Sequence, residues 1–112
     1  MRGYIPESGD LIWLNFDPQA GREQAGHRPA LILSPAGYNE RAGVALACPI
    51  TSHVKGYPFE VPISTAELRG VVLVDHVRSV DWRVRGAKKA GRAPSRLMIE
   101  VRDKLSVLLG FE

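Results

Sequence analysis

Residues 44–75 read VALACPITSHVKGYPFEVPISTAELRGVVLVD, and this stretch decides the fold. Three apolar runs of strand length, Val44–Thr51, Phe59–Ile63 and Val71–Asp75, alternate with Lys-Gly-Tyr-Pro and similar turn signals, and no helical period separates them. Working outward, Ala30–Ser34 adds a strand upstream and Val77–Trp82 a short one downstream. Asp10–Phe16 (DLIWLNF) reads as a first strand, buried on at least one face and stopped by Asp17-Pro18. Strands this short and close predict an antiparallel sheet closed into a small SH3-like barrel. The period changes after Pro94. Leu97, Val101, Leu105 and Leu108 fall on one helical face, with Ser95 as a nearby cap and Gly110 as the stop. The predicted class is mainly β with one C-terminal α-helix that closes an end of the barrel.

A chain of 112 residues holds one domain, taken here as 1–112, and a domain of this size gains from a partner subunit. Hydrophobic residues make up 45% and charged residues 24%, which excludes a long disordered region. Cys48 is the single cysteine, so no internal disulfide or thiolate-rich metal site can form. It reads as a buried small hydrophobe. No apolar run approaches the ~20 residues of a membrane helix, and no apolar signal core opens the chain. A cytoplasmic protein without membrane contact is expected. Net charge is only +3, but it is unevenly spread. From Arg78 to Arg96 seven basic residues face one acid, Asp81, whereas residues 1–77 carry two more acids than bases. A basic run of this kind is either a solvated surface or a surface that neutralises phosphates.

The segment Asp17–His27 holds Pro18, Gly21 and Gly26 and shows no period, so it reads as a long loop and the first place to look for function. It delivers Glu23, His27 and Arg28 within six residues, and Thr51 ends a neighbouring strand. Cleaving RNA without a metal needs a base for the 2′-hydroxyl, an acid for the leaving 5′-oxygen and hydrogen-bond or cationic groups for the phosphorane. These side chains can fill those roles. His27, His53 and His76 lack metal-ligand spacing, so no metal is expected; His76 reads as a structural or interface residue. Of the two tryptophans, Trp13 reads as core. Trp82, between Asp81 and Arg83, is the one available to stack on a base.

Four blocks, Gly9–Trp13, Glu23–Pro29, Lys55–Val61 and Trp82–Arg85, together resemble the MazF/PemK toxins, in that family's order and spacing over about Tyr4 to Gly110. The resemblance implies an SH3-like barrel of the CcdB/PemK type. It also implies a homodimeric, cofactor-free, metal-independent endoribonuclease acting on single-stranded RNA, the toxin partner of a MazE-like antitoxin with an acidic tail. By position Arg28 and Thr51 match the family's catalytic Arg and Thr, and Glu23 an acidic residue of the same site. Glu23 ranks narrowly ahead of His27 as the base. His27, Ser52, His53, Lys55, Trp82, Arg83, Arg85 and Lys88 are the expected RNA-binding set. The family's products, a 2′,3′-cyclic phosphate and a 5′-hydroxyl, imply attack by the RNA's own 2′-oxygen. Similarity to the ACA-cutting members implies a short ACA-like motif in messenger RNA, although Ser52 stands where a second Thr is common and His53-Val54 replaces a more polar pair.

Two other readings use the same fold. CcdB-like gyrase poisons act through a C-terminal Trp-Gly-Ile, whereas this chain ends Leu109-Gly110-Phe111-Glu112 and keeps the Glu23–Pro29 block. A non-catalytic RNA-binding barrel would have no need of Glu23, Arg28 and Thr51 together.

Overall fold

Seven strands and two helices make up the chain in a computed structural model that describes residues 3–16 and 26–111. They are β1 (Asp10–Phe16), β2 (Gly26–Ile32), α1 (Ala36–Ala42), β3 (Ala45–Thr51), β4 (Glu60–Ser64), β5 (Arg69–Leu73), β6 (Arg78–Val80), β7 (Lys88–Arg92) and α2 (Ser95–Leu109). All pairings are antiparallel, in the order β4-β5-β3-β2-β1-β7. β3 is shared. On one edge it pairs β2 through Ala47–Pro49, and it also pairs β6 through Ala45–Ala47 and β5 through Ile50 and Thr51. Serving three partners curls the sheet into a half-barrel, as the sequence predicts in outline.

Alternating side chains point to opposite faces of a strand, and both faces of this sheet are covered. Leu11, Leu31, Cys48 and Ile50 lie on the side of α2, with Val61, Val72, Leu97, Met98 and Val101. Ile12, Leu14, Ala30, Ile32, Ala45 and Ala47 form a second cluster with Val80 and Trp82. Gly110 ends α2 with φ +78, and the Phe111 N–H returns to the Ser106 carbonyl at 3.0 Å. The helical stripe holds for Leu97 and Val101 but fades at Leu108, which is 40% exposed. Ser95 is the first helical residue and makes no side-chain cap bond; Pro94 stands at the cap.

Four elements depart from the sequence reading: β2 runs from Gly26 to Ile32 rather than from Ala30 to Ser34, so His27 and Arg28 stand in a strand instead of at the end of the Asp17–His27 loop. Pro35-Ala36-Gly37 reads as a turn, yet Ala36–Ala42 is a helix closed by Gly43 at φ +77. Tertiary bonds hold it. Asn39 is fully buried, its amide donates to the carbonyls of Pro6 (2.8 Å) and Ser34 (2.9 Å), and it accepts from the Ser34 hydroxyl. Lys88–Arg92 forms β7 on the β1 edge, where charged side chains guard an open strand. The run Val71–Asp75 stops pairing at Leu73 and turns through a 3-10 segment, Val74–His76.

β7 is locked to β1 by a buried charge. Asp10, 2% exposed, accepts from Arg92 Nη1 at 2.9 Å, from the Glu7 N–H at 3.1 Å and from the Tyr4 hydroxyl, with Lys89 Nζ 3.7 Å away. Burial alone would raise the carboxyl's pKa. The hydrogen bonds from Tyr4, Arg92 and Glu7 and the Lys89 charge outweigh it and hold the group below its ordinary range. Burial and the bond to Asp10 push the Tyr4 phenol far above its usual value.

Two stability measurements check this frame. Asn39→Ala orphans buried carbonyls and a buried hydroxyl, and urea denaturation is expected to show a loss of about 3 kcal/mol. Because the folded pKa of Asp10 is depressed, its stabilisation is complete above the unfolded carboxylate value of about 4 and drains away as pH falls through the folded one. Asp10→Asn is therefore expected to cost about 1–3 kcal/mol at pH 7, with the gap to the native chain narrowing as the pH is taken below about 4.

Candidate active site

Register assembles the site. β2 and β3 pair Ile32 with Ala47, Leu31 with Cys48 and Ala30 with Pro49. Arg28 and Thr51 each lie two residues beyond the Ala30–Pro49 pair, where the ladder is no longer formed. Both then share the face of Ala30, the face turned away from α2. The strands part beyond Ala30, and a groove of about 490 Å³ opens there. Its floor is apolar, from Leu14, Ala30, Ala47, Pro49 and Val80. Arg28, Thr51, His76, Arg78 and Arg85 stand around it.

Each rim residue has a structural reason to be there. Arg28 pairs with Leu14 in the β1–β2 ladder, and Thr51 pairs with Val71 in the β3–β5 ladder. Arg78 pairs with Ala47 at the start of β6, while His76 ends the 3-10 turn before it. Arg85 is fixed through its backbone, whose carbonyl accepts the Asn15 N–H at 2.8 Å and whose N–H reaches the Asp81 carbonyl at 3.0 Å. Three guanidinium groups thus line one groove, and among the described residues no carboxylate lines it. Such a cleft focuses positive potential and suits a polyanion.

Beside the groove, Ser52–Pro58 is an exposed loop with an internal scaffold. The Thr51 hydroxyl accepts the His53 N–H at 3.1 Å. The Glu60 carboxylate accepts the N–H of Lys55 at 3.1 Å and of Gly56 at 2.9 Å, and Lys104 of α2 donates to the Pro58 carbonyl at 2.7 Å. Ser52, His53 and Lys55 therefore lie next to the groove rather than in its lining.

The other sequence candidates divide. Arg28, Thr51 and Arg85 meet in the groove. His27 is exposed, pairs with Asn15 and takes the alternate face of β2 from Arg28. Trp82 is 5% exposed and its indole donates to the Asn39 carbonyl at 3.1 Å, so the ring is core, while Trp13 is the partly exposed tryptophan. Arg83 stacks on Trp82 at 4.6 Å and donates to the Glu40 carbonyl, turned toward α1. Lys88 is exposed on β7, apart from the groove lining. Glu23 lies outside the described residues. His76 and Arg78 also line the groove, although residue type and motif assign neither a site role; the start of the basic run at Arg78 is the available signal. Burial, with Asp75 nearby, pushes the Cys48 thiol up to about 12, which leaves it inert.

With this geometry in place, comparison with known proteins is decisive. The sequence model of the PemK-like, MazF-like toxins of type II toxin–antitoxin systems matches residues 7–109. The chain belongs to that family. The endoribonuclease toxin MazF of Escherichia coli K12 is 53% identical over 108 residues, covering 96% of both chains. The endoribonuclease PemK of Escherichia coli is 36% identical, over 92% of this chain and 81% of its own. A crystal structure of MazE–MazF from Deinococcus radiodurans superposes with a TM-score of 0.91 at 55% identity, covering 98% of this chain and 100% of that one. The half-barrel with its C-terminal helix is therefore the MazF fold.

Glu60→Ala removes the acceptor that gathers the Lys55 and Gly56 amides. Hydrogen exchange at those two amides is expected to accelerate by about tenfold or more, with β3 protection unchanged.

Proposed function

We propose that this chain, a MazF-like endoribonuclease toxin, cuts single-stranded RNA without a metal by turning the substrate's own 2′-oxygen onto the adjacent phosphorus. The base takes the 2′-hydroxyl proton, the new P–O2′ bond forms, and the P–O5′ bond breaks. The products are a 2′,3′-cyclic phosphate and a 5′-hydroxyl. Arg28 clamps the phosphate as negative charge builds on its oxygens; a guanidinium with pKa above ~12 is better suited to that than to proton transfer. Arg28 also supplies the proton that the leaving 5′-oxygen takes up as the P–O5′ bond breaks, and is itself re-protonated from water. The Thr51 hydroxyl adds a hydrogen bond to the phosphorane. Glu23 is assigned as base ahead of His27. The observation that carries this reading is that Arg28 and Thr51 line one cation-lined groove, which opens where β2 and β3 part beyond the Ala30–Pro49 pair.

Arg78 and Arg85 hold flanking phosphates, and Ser52, His53 and Lys55 on the adjoining loop contact the bases. The same positive groove suits the acidic, disordered tail of a MazE-like antitoxin, which then excludes RNA by occupying it. The solved MazE–MazF complex from Deinococcus radiodurans supports such a partner. The toxin acts in the cytoplasm as a homodimer, on messenger RNA at a short ACA-like motif.

The test is digestion of a long defined RNA in EDTA, with primer extension and end analysis. Sharp cuts at a recurring motif with 5′-hydroxyl ends are expected, and RNA left intact by folded, antitoxin-free protein would redirect the assignment to a gyrase assay. Arg28→Ala and Thr51→Ala are each expected to slow cleavage about 10²-fold or more with the fold retained. Near-normal rates in both would remove the site assignment. RNA affinity is expected to fall steeply as salt rises, by an amount set by the phosphates neutralised.

A further inference from the structure

Thr51 is the last paired residue of β3, and one glycine lies against its backbone. Gly70, opposite Ile63 in the β4–β5 ladder, has φ +149, a value that L side chains rarely adopt. A Cβ of L configuration there would run into the Thr51 carbonyl oxygen, lie 2.8 Å from the Thr51 carbonyl carbon and sit 3.1 Å from the Ser52 Cα. These are backbone atoms and have no rotamer with which to yield. Among the described glycines this is the one whose missing side chain is filled by main chain at such range. The next residue, Val71, pairs with Thr51 and is 2% exposed, so β5 cannot retreat without opening the core.

We infer that Gly70 is a positioning residue for the cleavage site, its bare Cα setting how deeply the Thr51–Ser52 main chain sits beside Arg28. The inference rests on the role proposed for Thr51. Any L side chain would push the Thr51 carbonyl aside by about 1 Å, and a displacement of that size is worth about 10²-fold in a rate that depends on near-attack geometry. The His53 N–H, bonded to the Thr51 hydroxyl, would move with it and carry the start of the 52–58 loop along. The groove floor and the arginines of its rim would stay, so the phosphate contacts should survive while the base contacts of the loop shift, and turnover should suffer more than binding.

The experiment compares Gly70→Ala, Thr51→Ala and a D-alanine at position 70, the last made by joining synthetic segments 1–47 and 48–112 at Cys48. A D-methyl takes the direction of the other Gly70 hydrogen, away from the Thr51 carbonyl, and tolerates positive φ. The expected result is a kcat about 10²-fold down for Gly70→Ala with a clearly smaller change in KM, and a rate near native for the D-alanine chain. Should Gly70→Ala fail to fold, the D-alanine chain decides: a native rate supports the inference, and a lost rate in a folded D-alanine chain overturns it. A fully active Gly70→Ala beside an inactive Thr51→Ala overturns the inference alone. A fully active Thr51→Ala instead removes the role of Thr51, and the inference with it.

Discussion

A strand has two edges, and β3 must satisfy β2, β5 and β6 with them. β5 and β6 take different stretches of the strand, Ala45–Ala47 for β6 and Ile50 and Thr51 for β5. The sheet has to bend where one pairing gives way to the other, and the bend separates its two faces into different jobs. One face is packed by α2 and is dry. The other keeps a half-open mouth beyond Ala30, and there Arg28 and Thr51 meet across the strands as they diverge. The apolar floor and the charged rim follow from the same strands, since a residue two places along shares the face but not the burial.

A second constraint holds the rest of the frame in register with this bend. Buried polar groups must find partners, and the chain meets that demand in two places with complete sets of bonds. Asn39 ties the N-terminal segment, the end of β2 and α1 together, and its own carbonyl receives the Trp82 indole. Trp82 in turn begins the turn that presents Arg85. Asp10 does the same at the other side, where it holds β7 through Arg92 and Lys89. Neither group touches the groove. Both fix the elements from which it is built.

Much of this was legible from local pattern, and the failures are instructive. β1 reads correctly from Asp10 to Phe16 because a dense apolar run meets Asp17-Pro18, and α2 because its 3.6-residue period is strong. α1 is hidden because Pro35, Gly37 and Asn39 are turn formers; its helix depends on bonds to Pro6 and Ser34 that no local window contains. β7 is hidden because Lys-Lys-Ala-Gly-Arg lacks alternation, as an edge strand that carries charge for protection must. Trp82 misleads by its charged neighbours, whereas the strand pairing of Val80 carries the indole inward. Of the site, residue type and family resemblance gave Arg28 and Thr51. His76 and Arg78 needed the pairing of β6 with β3, which is a fact about three dimensions.

The cage around Asp10 also changes how the basic stretch from Arg78 to Arg96 should be understood. Lys89 and Arg92 are paired with Asp10, Arg83 is held over an indole, and of this stretch Arg78 and Arg85 are the cations that line the groove. Lys88 and Arg96 remain exposed at a distance from it. Exposed charges outside the groove act on a polyanion through the long-range field, whose reach is the Debye length and shrinks as salt is added. The association rate of this protein could evolve through its surface lysines and arginines while the groove itself stays fixed.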